Sequence, residues 1–164
     1  MKNTTLPPAL LALAEAGIPA RRMDYEYVLR GGTNDAAIKL GVSEHAVVKS
    51  IVFDNGKSDD ELRGVIVLMH GDERISIRKL ERLAAMRHLR PSPPDVAEAL
   101  TGFQPGGICP FRTRTVLPVF LQETLLLLPE IYINAGERGV VAAIAPSALL
   151  MLHPVQGDIR SIQA

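Results

Sequence analysis

Apolar residues along this chain come in short blocks, and their spacing switches between a helical and a two-residue period. Residues Pro8 to Gly17 predict a short first helix, with Pro7 and Pro8 suited to its first turn and Gly17 to its stop. Arg22 to Val28 predicts a strand, with Met23, Tyr25 and Tyr27 on one side and mostly polar residues between. Thr33 to Leu40 reads as a second helix, capped by Thr33 or Asn34 and ended by Gly41. Ala46 to Asp54 is rich in β-branched residues and predicts a strand. Asn55-Gly56 then turns the chain toward a second strand, Gly64 to His70, which makes a hairpin in the core.

The helical period returns over Ser76 to His88, where Ile77, Leu80, Leu83, Ala84 and Arg87 share a face. Pro94 to Leu100 predicts another short helix, ended by Gly102, and a Gly- and Pro-rich loop follows to Phe111. Val116 to Leu121, Ile131 to Asn134 and Gly139 to Ile144 read as strands, and Pro146 to Leu152 as a last helix. No repeat, low-complexity tract or linker divides the chain, so residues 1–164 are expected to form one domain. Irregular alternation with at least one hairpin favours α+β with a mixed sheet over a pure βαβ fold.

Composition narrows the function. With 47% hydrophobic and 22% charged residues the chain can bury a sizeable core, which excludes a disordered or disulfide-framework protein. Lys plus Arg is 18 and Asp plus Glu is 18. That balance excludes nucleic-acid binding by bulk charge, so an RNA partner has to meet a local basic patch. The single cysteine, Cys109, cannot form an internal disulfide and fits a reducing cytoplasm. Apolar runs fall far short of the roughly 18 residues a membrane helix needs. The start, Met1 to Ala20, resembles a signal peptide slightly. Its prolines, Glu15 and single Lys2 favour an amphipathic helix instead. His45, His70, His88 and His153 lack HExxH or CxxC spacing and there is one cysteine, so a structural zinc site is not expected.

Five features carry candidate chemistry. Lys49 interrupts an apolar strand, where an unpaired buried lysine is costly. On an edge strand it would merely discourage pairing, but it shares parity with Val47, Ile51 and Phe53, which argues for a pocket. The loop from Thr101 to Phe111 holds Gly106-Gly107 between prolines, so stiffened backbone N–H groups can approach a carbonyl or phosphate oxygen. An ordinary turn has the same glycines. Cys109 needs a base to act as a nucleophile and otherwise reads as a small residue in a tight loop. Asn134 ends a strand, aimed at a ligand or simply serving a turn with Gly136. Finally, Arg74, Arg78, Lys79, Arg82, Arg87 and Arg90 face one acid, Glu81, and Arg112 and Arg114 follow the glycine loop. Such a run binds RNA phosphates or is a solvated helix face.

In order, Ala37-Ile38-Lys39-Leu40-Gly41, Val48-Lys49-Ser50, the block from Thr101-Gly102-Phe103 through Gly106-Gly107-Ile108-Cys109-Pro110-Phe111, and Ile131 through Gly139 resemble the YbaK/ProX family. Its members are free-standing relatives of the editing domain inserted in bacterial prolyl-tRNA synthetase. The resemblance runs from about Ile18 to the C-terminus. It implies a compact α+β domain with a mixed, partly barrel-like sheet flanked by helices. It also implies hydrolysis of the ester joining a wrong amino acid to tRNA, with Cys- or Ala-tRNA(Pro) as the expected substrate and no metal or organic cofactor. Lys49, Gly106 and Gly107 are the implied catalytic positions. Tyr25, Ser50, Ile108, Pro110, Asn134 and Gly136 are the implied substrate-binding ones. Implied partners are the aminoacylated tRNA acceptor end and a prolyl-tRNA synthetase.

Three positions depart from the pattern: Val141 stands for a polar residue, Gly31-Gly32 for an aromatic, and Arg112 for a glycine. Seryl and threonyl errors therefore stay open beside cysteinyl and alanyl ones. Chemically, a reactive ester needs positioning and modest charge stabilisation. The N–H groups near Gly106 and Gly107 would meet the carbonyl. Lys49 would meet the terminal phosphate or ribose and the developing charge. Two other classes remain open at this point: a Cys109-dependent hydrolase of small esters, and a non-catalytic module that binds tRNA or a synthetase.

Overall fold

Proline fits the first turn of a helix, where its missing N–H has no intrahelical partner, and α1 starts there, over Pro8–Glu15. The computed structural model describes residues 6–162. After α1 come β1 (Arg21–Asp24), α2 (Gly32–Leu40), β2 (Val47–Asp54), β3 (Gly64–His70), α3 (Ile77–Ala84) and β4 (Arg90–Pro91). Then follow α4 (Pro94–Thr101), β5 (Val119–Gln122), β6 (Ile131–Asn134), β7 (Val140–Ile144) and β8 (Val155–Gly157). Lys2 of the signal-like start, and both ends of the expected 1–164 domain, lie outside the described residues. No described helix is long and apolar enough to cross a membrane.

The strands join in one mixed sheet, ordered β1-β7-β6-β2-β3-β5-β8, with β4 against the far end of β2. The expected hairpin is β2–β3, antiparallel from Val48 opposite His70 to Asp54 opposite Gly64. β6 joins β2 in parallel and β5 joins β3 in parallel, which confirms the mixed sheet. The sheet does not close, and β1 and β8 are its edges. Central strands flanked in this way are buried on both faces and read as unbroken apolar runs. Along β3, Ile66 and Leu68 enter the larger core with Leu13, Val48, Val52 and Leu121. Val65, Val67 and Met69 enter a second core with Phe53, Leu80 and Phe120.

Several elements are shorter than their sequence pattern. β1 stops at Asp24, opposite Val140, because β7 begins there; the Tyr25 N–H still reaches the Gly139 carbonyl at 2.9 Å. Tyr25 to Val28 are thereby released from the sheet. α2 starts from Gly31, not from a Thr33 or Asn34 cap. The Thr33 hydroxyl is engaged elsewhere, 2.7 Å from a Glu44 carboxylate oxygen and 3.0 Å from the Gly71 carbonyl. α3 ends where Ala85 turns left-handed at φ +54°, so Arg87 lies beyond it. Residues 116–118 precede β5, and Pro146–Leu152 is a 3-10 helix rather than an α-helix. β4 and β8, two and three residues long, are too short to show any period.

Candidate active site

The release of Tyr25 to Val28 opens a cleft of about 540 Å³. Its walls are Tyr25 and Tyr27, the start of α2, Val47 to Ser50 of β2, Pro105-Gly106, Asn134, Arg138 and Val141. A depression of about 580 Å³, formed by residues 17–21, 130, 143–145, 147 and 148, holds none of the sequence-predicted site residues. Parallel pairing sets Val47 opposite Tyr132 and Val48 opposite Ile133. One step further along each strand stand Lys49 and Asn134, at the same level of the sheet and on the same face.

Lys49 is partly buried and has no hydrogen-bond or ion-pair partner among the described residues. Burial pulls its pKa below the ordinary lysine value, against the opposing pull of Glu44 and Asp72. The Ser50 hydroxyl is buried without a partner in the cleft wall. It sits on the larger-core side with Val48 and Val52, since alternation places it opposite Lys49. Unmet buried polar atoms are costly, and at a cleft they mark contacts a ligand completes.

The glycine loop divides. Gly106 lines the cleft, exposed, at φ +89°, and its N–H has no partner among the described residues. A Cβ there would lie 2.6 Å from the Tyr27 ring. The Gly107 N–H is already committed, donating to the Gln104 carbonyl at 2.9 Å, so the expected pair of donors is corrected to Gly106 alone. Gly107 is buried and lies with Gly136 in a neighbouring depression of about 390 Å³. Gly136, at φ +101°, packs on Pro8 of α1 rather than on the cleft. Ile108 lines a narrow extension of about 200 Å³ shared with Ser50 and Asn134. Pro110 is buried and lines neither cavity.

Cys109 is removed from the chemistry. It is fully buried, its thiol donates to the Phe111 carbonyl at 3.4 Å, and burial pushes its pKa up to about 12. A thiol so placed is neither a thiolate near neutrality nor reachable, which overturns the Cys109-dependent hydrolase. Cys109→Ser is expected to retain deacylation within a few-fold, and iodoacetamide to leave the folded wild type active. Stoichiometric inactivation by alkylation of Cys109 would contradict this placement.

The basic run also divides. Lys79 bonds the Arg160 carbonyl and faces Asp158, Arg90 pairs with Asp54, and Arg112 pairs with Glu15. Arg112 occupies a left-handed position at φ +54°, where glycine is the relaxed choice. Arg74, Arg78, Arg82 and Arg87 are exposed and in no ion pair among the described residues, and Arg74 acts electrostatically on Lys49. Next to them, His45 Nδ1 bonds Asp72 at 2.8 Å and stacks on His70 at 3.8 Å. His70 is fixed by the His45 carbonyl and the Thr124 hydroxyl, and burial lowers its pKa. His45, Asp72 and Glu73 hold ligand-type atoms within 4.8 Å of one another, with Asp72 exposed. Tyr27 and Arg138 are among the cleft residues the pattern did not single out. Arg138 stood inside the Gly136 to Gly139 stretch, but its contact to Pro105 spans 33 residues and has no local signal.

Similarities to known proteins bear on this arrangement. The family model for the aminoacyl-tRNA editing domain matches residues 32–152. EbsC of Enterococcus faecalis, a candidate Cys-tRNA(Pro)/Cys-tRNA(Cys) deacylase, is 26% identical over 116 residues, 71% of this chain and 68% of that protein. A proline–tRNA ligase of Limosilactobacillus fermentum is 24% identical over 106 residues, 65% of this chain but 18% of the ligase. The crystal structure of a candidate trans-editing enzyme for prolyl-tRNA synthetase superposes with a TM-score of 0.81 at 28% identity, covering 96% of this chain and all of that one. Matched over most of its length, with most of the cleft inside the matched span, this chain belongs to the aminoacyl-tRNA editing domain family.

Proposed function

We propose that this editing domain acts in trans, hydrolysing the ester of a small non-cognate amino acid, cysteine or alanine, on tRNA(Pro). The observation that carries the reading is that Lys49, the Gly106 N–H and the Ser50 hydroxyl, none with a partner among the described residues, all line one cleft. Hydrophobic walls around few polar atoms strengthen each electrostatic contact made there. The relation to EbsC and to the trans-editing structure supports the tRNA(Pro) class. The exposed Arg74, Arg78 and Arg82 supply the local positive charge that a chain of zero net charge needs to meet an acceptor stem. The synthetase that releases the mischarged tRNA is the natural partner, and the cytoplasm the place. The unit is taken as residues 1–164.

In the reaction, a water oxygen attacks the ester carbonyl, and the vicinal ribose hydroxyl relays the proton that the water sheds toward the leaving ribose oxygen. The resulting oxyanion is met by the Gly106 N–H and the Lys49 ammonium. Collapse breaks the bond to the ribose oxygen, which takes a proton, and frees the amino acid and the tRNA. Tyr25, Ser50 and Asn134 line the cleft and bind the substrate around this centre; Ile108, Pro110 and Gly136 shape the loops behind them.

The test is deacylation of Cys-, Ala-, Ser-, Thr- and Pro-tRNA(Pro), and of cognate Ala-, Ser- and Thr-tRNAs. Turnover of a mischarged species with Pro-tRNA(Pro) spared is the expected result and names the amino acid. Folded protein that binds tRNA(Pro) but turns over none of the panel would replace the reading by a non-catalytic binding module.

A further inference from the structure

Arg138 stands at the mouth of the cleft, exposed and without a carboxylate partner among the described residues. Its side chain is nevertheless held in place. Nε donates to the Pro105 carbonyl at 2.7 Å, and the guanidinium carbon lies 4.9 Å from the centre of the Tyr27 ring. One edge of the guanidinium is thus occupied by the loop and one face by the ring. Nη1 and Nη2 have no hydrogen-bond partner among the described residues. A held guanidinium with both Nη groups presented to solvent is a preorganised fork for an oxyanion, because little rotamer freedom remains to be lost on binding.

Building on the deacylase reading, we propose that Arg138 is a phosphate subsite. It takes the phosphodiester that joins the last two nucleotides of the acceptor end, and so leaves Lys49 to the ester. The substrate's chemistry selects this anion. An aminoacyl ester has no free carboxylate, and the phosphodiesters are the only anions an aminoacylated acceptor end brings to the cleft. Position agrees: Lys49 lies on the sheet, partly buried, whereas Arg138 lies on the rim formed by the β6–β7 turn. The subsite is also tied to the donor loop. A Cβ at Gly107 would lie 3.0 Å from the Arg138 N, and one at Gly106 would meet Tyr27. A phosphate on the fork therefore braces the segment that presents the Gly106 N–H.

The test compares two substrates carrying the amino acid the wild type removes fastest. One is the aminoacyl-tRNA(Pro) and the other the matching 2′(3′)-O-aminoacyl-adenosine, which has no phosphate. R138Q is expected to raise KM for the tRNA about tenfold or more, the scale of a lost charge-assisted contact. Its KM for the adenosine ester should stay within twofold of wild type, and R138K should recover part of the loss. Equal losses on both substrates would overturn the subsite and leave Arg138 as a brace for the loop; so would an unchanged KM for the tRNA. A wild type inert on every ester sinks the deacylase reading instead, and binding of uncharged tRNA(Pro) against salt then decides Arg138. There the log–log slope should become shallower by about 0.7 in R138Q, the share of one single-strand phosphate contact. An unchanged slope would overturn the subsite.

Discussion

Lys49→Met is expected to slow deacylation about 100-fold or more, the scale of losing one oxyanion-stabilising group, while the protein melts no lower than the wild type. The two effects share a cause. Lys49 is partly buried without a partner among the described residues, and burial lowers its pKa, so the fold disfavours the ammonium that the reaction uses. Methionine fills similar space without the charge. The pH dependence follows in sign. With the folded pKa below the ordinary lysine value of 10.5, the unfolded chain binds more protons between the two. Wild-type stability should therefore rise with pH across that window, and Lys49→Met should flatten that rise. Enzymic activity should instead fall as pH rises through the lowered pKa, earlier than for an exposed lysine, once uncatalysed hydrolysis is subtracted. Thermal melts and single-turnover rates across pH check both limbs. A fully active Lys49→Met protein removes Lys49 from the chemistry, and one that melts much lower makes its role structural.

Asp54→Ala is expected to have the largest effect on stability, about 2–4 kcal/mol in urea denaturation. Asp54 is fully buried at the end of β2. Its carboxylate accepts from Arg90 Nε at 2.9 Å, Ser92 Oγ at 2.6 Å and the Gly56 N–H at 2.8 Å. It thus ties the hairpin turn to β4 and to the approach to α4. Burial alone would push the carboxyl up, but the bonds from Ser92, Arg90 and Gly56 outweigh it and hold its pKa below the ordinary carboxylate range. Alanine leaves the Ser92 hydroxyl and the Gly56 N–H unmet; Arg90, half-exposed, recovers some solvation, which keeps the loss below that of a fully buried pair. The stabilisation is complete above the unfolded value near 3.8 and is lost as pH falls through the lowered folded pKa. Wild type and variant should therefore converge in stability in acid. Asp54→Asn, which keeps one acceptor oxygen, should fall between them. A loss below about 0.5 kcal/mol, the range of ordinary surface changes, would show that the cluster contributes nothing net.

Much of this fold was legible because its signals are local. The hairpin of β2 and β3, the stops at Gly41 and Gly102, and the parity of Lys49 each depend on residues a few positions apart. Periodicity and left-handed backbone are encoded at that range. The glycine loop was legible as a loop for the same reason, and the order of its motifs was enough to point to the family.

The rest depends on contacts between distant segments. β1 is shortened because β7 begins at Val140, and no residue within 22–28 records that. Gly106 and Gly107 are equivalent in sequence, yet the turn to Gln104 commits one N–H and leaves the other. Cys109 is excluded by core packing, and the basic run is divided by Asp54, Asp158 and Glu15, each far along the chain from its partner. Arg138 becomes a held fork only when Pro105 and Tyr27 arrive beside it. The sequence by itself therefore determined most of the elements, the family and the candidate groups, since these follow from local period and backbone preference. Which of those groups keep unmet hydrogen-bonding capacity at one cleft was decided only by the tertiary structure, because the burial and partners that set it come from residues remote in the chain.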